Sequence, residues 1–179
     1  MAAAMDSAPT CRRQQLAQHL RRPPPASAEP ILLVSIKPHY ARLIESGQKR
    51  VEFRRRVPRR FTSGRAIFYV TAPVQAIALT ARVTAVHRGA PSALWRRFAD
   101  VAGTEPRAFA DYFAGAGEGV ALVLEEVRAL RSPIALADPR LRAVHFRPPQ
   151  SPVLLPAAGD DDDQLFCKLS SWAGSSCLM

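Results

Sequence analysis

Cysteine is scarce in this 179-residue chain and poorly spaced for chemistry. Cys11, Cys167 and Cys177 lie near the two ends and form no CxxC pair, which argues against a disulfide scaffold or a zinc knuckle. The four histidines, His19, His39, His87 and His145, show no ligand spacing, so neither a metal site nor a cofactor is expected. No apolar run approaches the roughly eighteen residues of a membrane span. Arg12, Arg13, Arg21 and Arg22 interrupt the N-terminal segment and deny it a signal-peptide core. Cys177 stands third from the end, not fourth as a prenylation box requires. There is no GxxxxGK[ST] loop, no strand-GxGxxG-helix unit, no HExxH and no GxSxG elbow. The glycines of Gly115–Gly119 follow a helix and precede a strand, the reverse of a phosphate loop, and read as a turn. The expectation is a soluble, cytoplasmic protein of a reducing compartment.

Acid is also in short supply. Lysine and arginine total 25 against 15 Asp and Glu, giving a formal net charge of +10 and a pI of ≈ 10.7. Arginine supplies nearly all of the positive charge, since only Lys37, Lys49 and Lys168 are lysines. Guanidinium forks match phosphates and stack on bases, so the bias suits nucleic acid, although a GC-rich genome produces the same preference.

The charge is most concentrated in Gly47–Arg60, GQKRVEFRRRVPRR, where one acid, Glu52, stands among seven basic residues. Val51 and Phe53 alternate with Arg50, Glu52 and Arg54, as on a strand with one apolar face. Positive charge gathered around a single carboxylate fits a polyanion site containing one chemically distinct group. A basic surface patch without a ligand is the plain alternative.

The chain divides into three parts. Residues 1–29 are rich in Ala, Arg, Gln and Pro and read as a disordered arm; residues 156–179 carry the Asp160–Asp163 block and read as a flexible acidic tail. Residues 30–155 form the ordered domain. Ile31–Ile36 predicts a buried strand, Pro38 opens a helix carrying Tyr40, Leu43 and Ile44, and Gly47 caps its end. Strands follow at the charged segment, at Ala66–Thr71, and at Ala76–Val86, where Ile77, Leu79, Ala81, Val83 and Ala85 share a face. Ser92 and Thr104 are placed to cap two short helices bearing Leu94, Trp95, Phe98, Phe109, Tyr112 and Phe113, aromatics read as core. Val120–Leu130 and Ser151–Leu155 complete the sheet. The fold class is α+β, mostly β: a small closed β-barrel with helices at its rim.

Three segments in this order resemble the ASCH family of the PUA-like superfamily: VSIKPHYARLIESGQKRVEFRRRVP, FYVTAPVQAIALTARVTAV and FRPPQSPVLL. SALWRRFADVAGTEPRAFADYFAG is similar to a two-helix insert found in one ASCH subgroup. Gly47, Lys49, Glu52 and Arg54 match the family's GxKxxExR pattern. The resemblance implies a PUA-like barrel with a cleft beside the first helix, and an RNA or modified-nucleoside partner. It also implies an enzymatic alternative, hydrolysis of 4-acetylcytidine or of RNA, with Lys49 and Glu52 as catalytic candidates. Glu52 stands where those enzymes carry a Thr, and Thr80 stands where they carry a later-strand Glu. Binding candidates are Ser35, Lys37, Arg50, Arg54, Arg55, Arg56 and Tyr69, with Gln150 and Ser151 offering amide and hydroxyl contacts to a base edge. A third reading is an interaction module whose basic face meets an acidic protein.

Overall fold

The computed structural model describes residues 29–143 and 145–155. The readings made for the acidic tail, and for the N-terminal arm apart from Glu29, lie outside the described residues.

Strand β1 (Ile31–Ile36) is buried on both faces apart from Ser35. Leu32, Val34 and Ile36 enter the main core, and Ile31 and Leu33 enter a second one behind it. Such two-sided burial suits a strand in parallel pairing, and β1 runs parallel to β3 (Gly64–Val70). Helix α1 (Pro38–Glu45) begins with Pro38 in its first turn and buries Ala41 and Ile44. Its chain reverses at Gly47, whose φ of +75° is cheap only for glycine, and the Lys49 amide donates back to the Leu43 carbonyl (2.8 Å). Short β2 (Val51–Arg54) follows directly.

The long hairpin of β4 (Ala76–Gly89) and β5 (Gly119–Ala135) forms the backbone of the sheet. Between these strands lie α2 (Pro91–Phe98), a 3-10 turn at Ala99–Val101, and α3 (Pro106–Phe113). Helix α4 (Pro139–Ala143), which the sequence pattern does not announce, leads to β6 (Val153–Leu155). A third apolar cluster packs Leu94, Phe109 and Phe113 of α2 and α3 against Val51 and Phe53 of β2.

The six strands form one mixed sheet in the order β2-β5-β4-β3-β1-β6. It curves into a half-barrel rather than the closed barrel expected: β2 and β6 are its edges, and no ladder joins them among the described residues. Strand β6 pairs with β1 only at Ile31–Leu33. The outer side of Val34–Ile36 is therefore left without a strand. There the Arg54 guanidinium of β2 reaches over and donates to the Ser35 carbonyl, so a side chain spans the seam that a ladder would otherwise close.

Two further expectations are corrected. Strict alternation along β4 fails because bulges interrupt its pairing. One at Ala78 places Ile77 opposite Tyr69 in the second core while Leu79 remains in the first; another between Val83 and Ala85 turns Val86, not Ala85, toward the main core. Neither Ser92 nor Thr104 caps a helix. Pro91 and Pro106 occupy the first turns with φ already set, so the cap positions fall at Ala90 and Glu105 without a side-chain bond. Thr104 is left free for a different partner.

Candidate functional site

The seam opens into a cavity of about 780 Å³. Ser35, Lys37, Lys49, Glu52, Arg54 and Gln150 of the sequence-based candidates all line it. Lys37 sits at the N-cap of α1, where extended backbone turns into the helix. Gln150 precedes β6 in the sequence and is exposed beside the opening.

Lys49 and Glu52 are the only charged residues of the described chain classed as buried, at 3% and 6% exposure. That degree of burial makes their pairing obligatory, because an uncompensated charge at such a depth costs several kcal/mol. Lys49 Nζ lies 3.4 Å from Glu52 Oε2, and Arg54 Nε lies 3.0 Å from Glu52 Oε1. The Arg54 contact is an ion pair without the angle of a directed hydrogen bond, so the carboxylate is held by charge on both sides while keeping acceptor capacity. Lys49 Nζ also donates to the Ala102 carbonyl at 2.7 Å and lies 5.3 and 5.5 Å from the ring centroids of Tyr40 and Phe53.

The segment between α2 and α3 therefore builds the lysine site. The Arg50 amide donates to Val101 O (2.9 Å), Ala102 O accepts from Lys49, and Gly103 packs directly against the Lys49 stem. Thr104 Oγ1 lies 3.3 Å from Tyr40 Oη across the same wall. The sequence reading missed Tyr40, Thr71, Thr104 and Asp111, all of which line the cleft. Only the i, i+9 spacing of Tyr40 and Lys49 around the α1 turn is a local trace of this grouping. Ser35 Oγ is buried in the cleft wall with no hydrogen-bond partner.

Other candidates stand elsewhere. Arg50 is exposed and lines no cavity described, its backbone tied to Val101 and Leu124. Tyr69 is buried in the second core against Phe146, and burial raises its phenol pKa. Arg55, Arg56 and Ser151 line a smaller pocket of about 370 Å³ that shares Arg54, Tyr112 and Gln150 with the cleft. Tyr112 is 40% exposed rather than packed in the core; Arg55 donates to its carbonyl and lies 5.4 Å from its ring centroid. Thr80 of β4 does not line the cleft. Among the described residues, no group of three or more His, Cys, Asp or Glu is placed to hold a metal ion, and no helix is long and apolar enough to cross a membrane.

Comparison with known proteins agrees with this architecture. The chain is 35% identical over 119 residues to the "ASCH domain-containing ribonuclease" of Zymomonas mobilis, a match spanning 66% of this chain and 80% of that protein. The crystal structure of ASCH from the same organism superposes with a TM-score of 0.65 at 31% identity, covering 82% of this chain and 94% of the other. A serine-to-alanine variant of that protein gives 0.66 at 29% identity, covering 84% and 98%. The ASCH domain model matches residues 34–131, which run from β1 through the GxKxxExR element and the two-helix segment into β5. With the half-barrel, the cleft at its seam and these matches in agreement, the chain belongs to the ASCH domain family.

Proposed function

We propose that this protein is an RNA-binding module that takes a nucleotide, modified or not, into the cleft at the β1–β2 seam. The observation that carries the reading is the cleft itself. At about 780 Å³ it is within the roughly 300–1,000 Å³ range of small-molecule sites, and it combines apolar and aromatic walls with a few fixed polar groups. Lys37 and Arg54 supply positive charge at the wall, and Ser35 Oγ and Gln150 supply hydrogen bonds to a base edge. A cytoplasmic, reducing setting is part of the same proposal.

The test is a salt titration of single-stranded RNA binding. If three or four phosphates are neutralised, log affinity falls with log salt at a slope of about −2 to −3. Binding without salt dependence, or none at low salt, would refute the reading.

A second reading is RNA cleavage, favoured by the relative that bears the name ribonuclease. In such a reaction a ribose 2′-OH attacks the adjacent phosphorus to form a 2′,3′-cyclic phosphate, and the P–O5′ bond breaks, the 5′-oxygen leaving as a hydroxyl with a proton from water. Glu52, held between two cations, is the candidate to take the 2′-OH proton, and Lys49 and Arg54 face the charge that grows on phosphorus. Incubation of RNA with the wild type and with Lys49→Ala separates the readings: a binder leaves RNA intact in both cases, whereas a ribonuclease cleaves it only as wild type.

A further inference from the structure

The cleft does not end at Tyr112. Its neighbour, the pocket of about 370 Å³, shares Arg55 and Arg56 with a third cavity of about 580 Å³. That groove runs between the loop after β2 and the Ala114–Glu118 turn before β5, and Arg55, Arg56, Arg59 and Arg88 line it. Arg88 is committed to structure: Nη1 donates to Val57 O (3.3 Å), and Nη2 donates to Pro58 O (3.0 Å) and more weakly to Phe61 O (3.5 Å). By holding the loop backbone it fixes where Arg56 and Arg59 project. Arg56 is exposed, and among the described residues no carboxylate pairs with it. Arg59 meets Glu118 at 3.6 Å, but the two side chains are 83% and 52% exposed, so water screens that pair and a phosphate can replace it.

We infer that this groove is a second subsite for single-stranded RNA, taking the phosphates that flank the nucleotide held in the cleft. The inference rests on the RNA reading above and extends it, making the preferred ligand a polymer and not a free nucleoside. Continuity supports this, because each cavity shares lining residues with the next and the strand never has to leave the basic face. Chemistry supports it as well. Guanidiniums follow one another along the path, and Tyr112, 40% exposed, stands at the junction, where a base can stack on its ring.

Binding of a dinucleotide and of an octanucleotide of the same composition is measured for the wild type, Arg59→Ala, Arg59→Glu and Glu118→Gln. Arg59 and Glu118 are surface side chains, so these variants fold. Arg59→Ala should weaken octanucleotide binding about threefold and Arg59→Glu about tenfold, with a shallower salt slope, while Glu118→Gln tightens it about twofold. Dinucleotide binding should not change in any of them. If the wild type binds RNA and the substitutions act equally on both lengths, or on neither, the groove is overturned while the cleft stands. If the wild type binds neither oligonucleotide at low salt, the RNA reading itself falls, and the groove with it. Displacement of the octanucleotide by polyglutamate at equal charge concentration assigns the surface to protein and also overturns the inference.

Discussion

Gly103 and Lys49 are in contact so close that a Cβ on the glycine would lie 2.5 Å from the lysine Cβ. Gly103 also has a φ of +57°, a region that side chains enter only at a cost. Gly103→Ala should therefore displace Lys49 as well as strain the loop. Unfolding in urea should show a loss of roughly 1–3 kcal/mol from the backbone alone. Ligand affinity should fall although no residue lining the cleft was changed. Wild-type stability together with wild-type binding would contradict the contact.

Lys49 and Glu52 should show strong coupling in a double-mutant cycle. Lys49→Met leaves Glu52 with Arg54 alone, and Glu52→Gln leaves a buried ammonium whose remaining bond is to the Ala102 carbonyl. Each single change should cost roughly 3–5 kcal/mol of stability, and the double variant should recover part of the sum. Additive losses in urea denaturation would show that the pair does not act as a unit. If the protein cleaves RNA, Glu52→Gln should also lower turnover by about 10²–10⁴-fold, the usual range for a general acid or base.

Ser35→Ala should raise stability and lower affinity at once. The buried hydroxyl has no partner, so removing it relieves a desolvation cost of about 1 kcal/mol while deleting a contact offered to the ligand. Calorimetric unfolding and RNA titration read the two effects separately. Loss of stability would reveal a partner for Oγ.

His87 should make stability depend on pH. Burial, followed by the nearby Arg97 charge, lowers its pKa from the ordinary 6.5. The unfolded chain then takes up the proton first as pH falls, so stability is full above about 6.5 and declines from there down through the lowered folded pKa. His87→Phe should remove this part of the slope between pH 7.5 and about 5. An unchanged slope in paired denaturation curves would locate the dependence in other groups.

What could be read from the sequence was what is local. The buried run of β1, Pro38 at the start of α1, the Gly47 turn and the Lys49–Glu52–Arg54 spacing each depend on neighbours within a few positions, and each stands where the pattern put it. The β4 bulges were not legible, because bulges are settled by pairing with β3 and β5 and leave residue types almost unmarked. The hydroxyls of Ser92 and Thr104 carry a capping signal, but Pro91 and Pro106, with φ already set, move the cap positions to Ala90 and Glu105. The candidate cleft was half legible: the charged strand marked the lysine and carboxylate, but Ala102, whose carbonyl receives Lys49, is 53 positions away and carries no side-chain signal. Tyr112 appeared as one more aromatic in a helical stripe, and only the fold shows that it leaves the core while Phe109 and Phe113 stay in it.

The seam of the half-barrel makes the mouth of the cleft an adjustable aperture. In a closed barrel its width would be fixed by strand spacing near 4.8 Å and could change only by unzipping a ladder. Here the span between β1 and β2 is held by Arg54, whose side chain can rotate at the cost of one charge-assisted bond to Ser35 O, about 1.5–3 kcal/mol, and its ion pair to Glu52. An incoming anion offers the guanidinium a replacement for both partners. An anion that took over this guanidinium would compete with Ser35 O and Glu52 at once, so binding it and freeing the seam would be a single exchange.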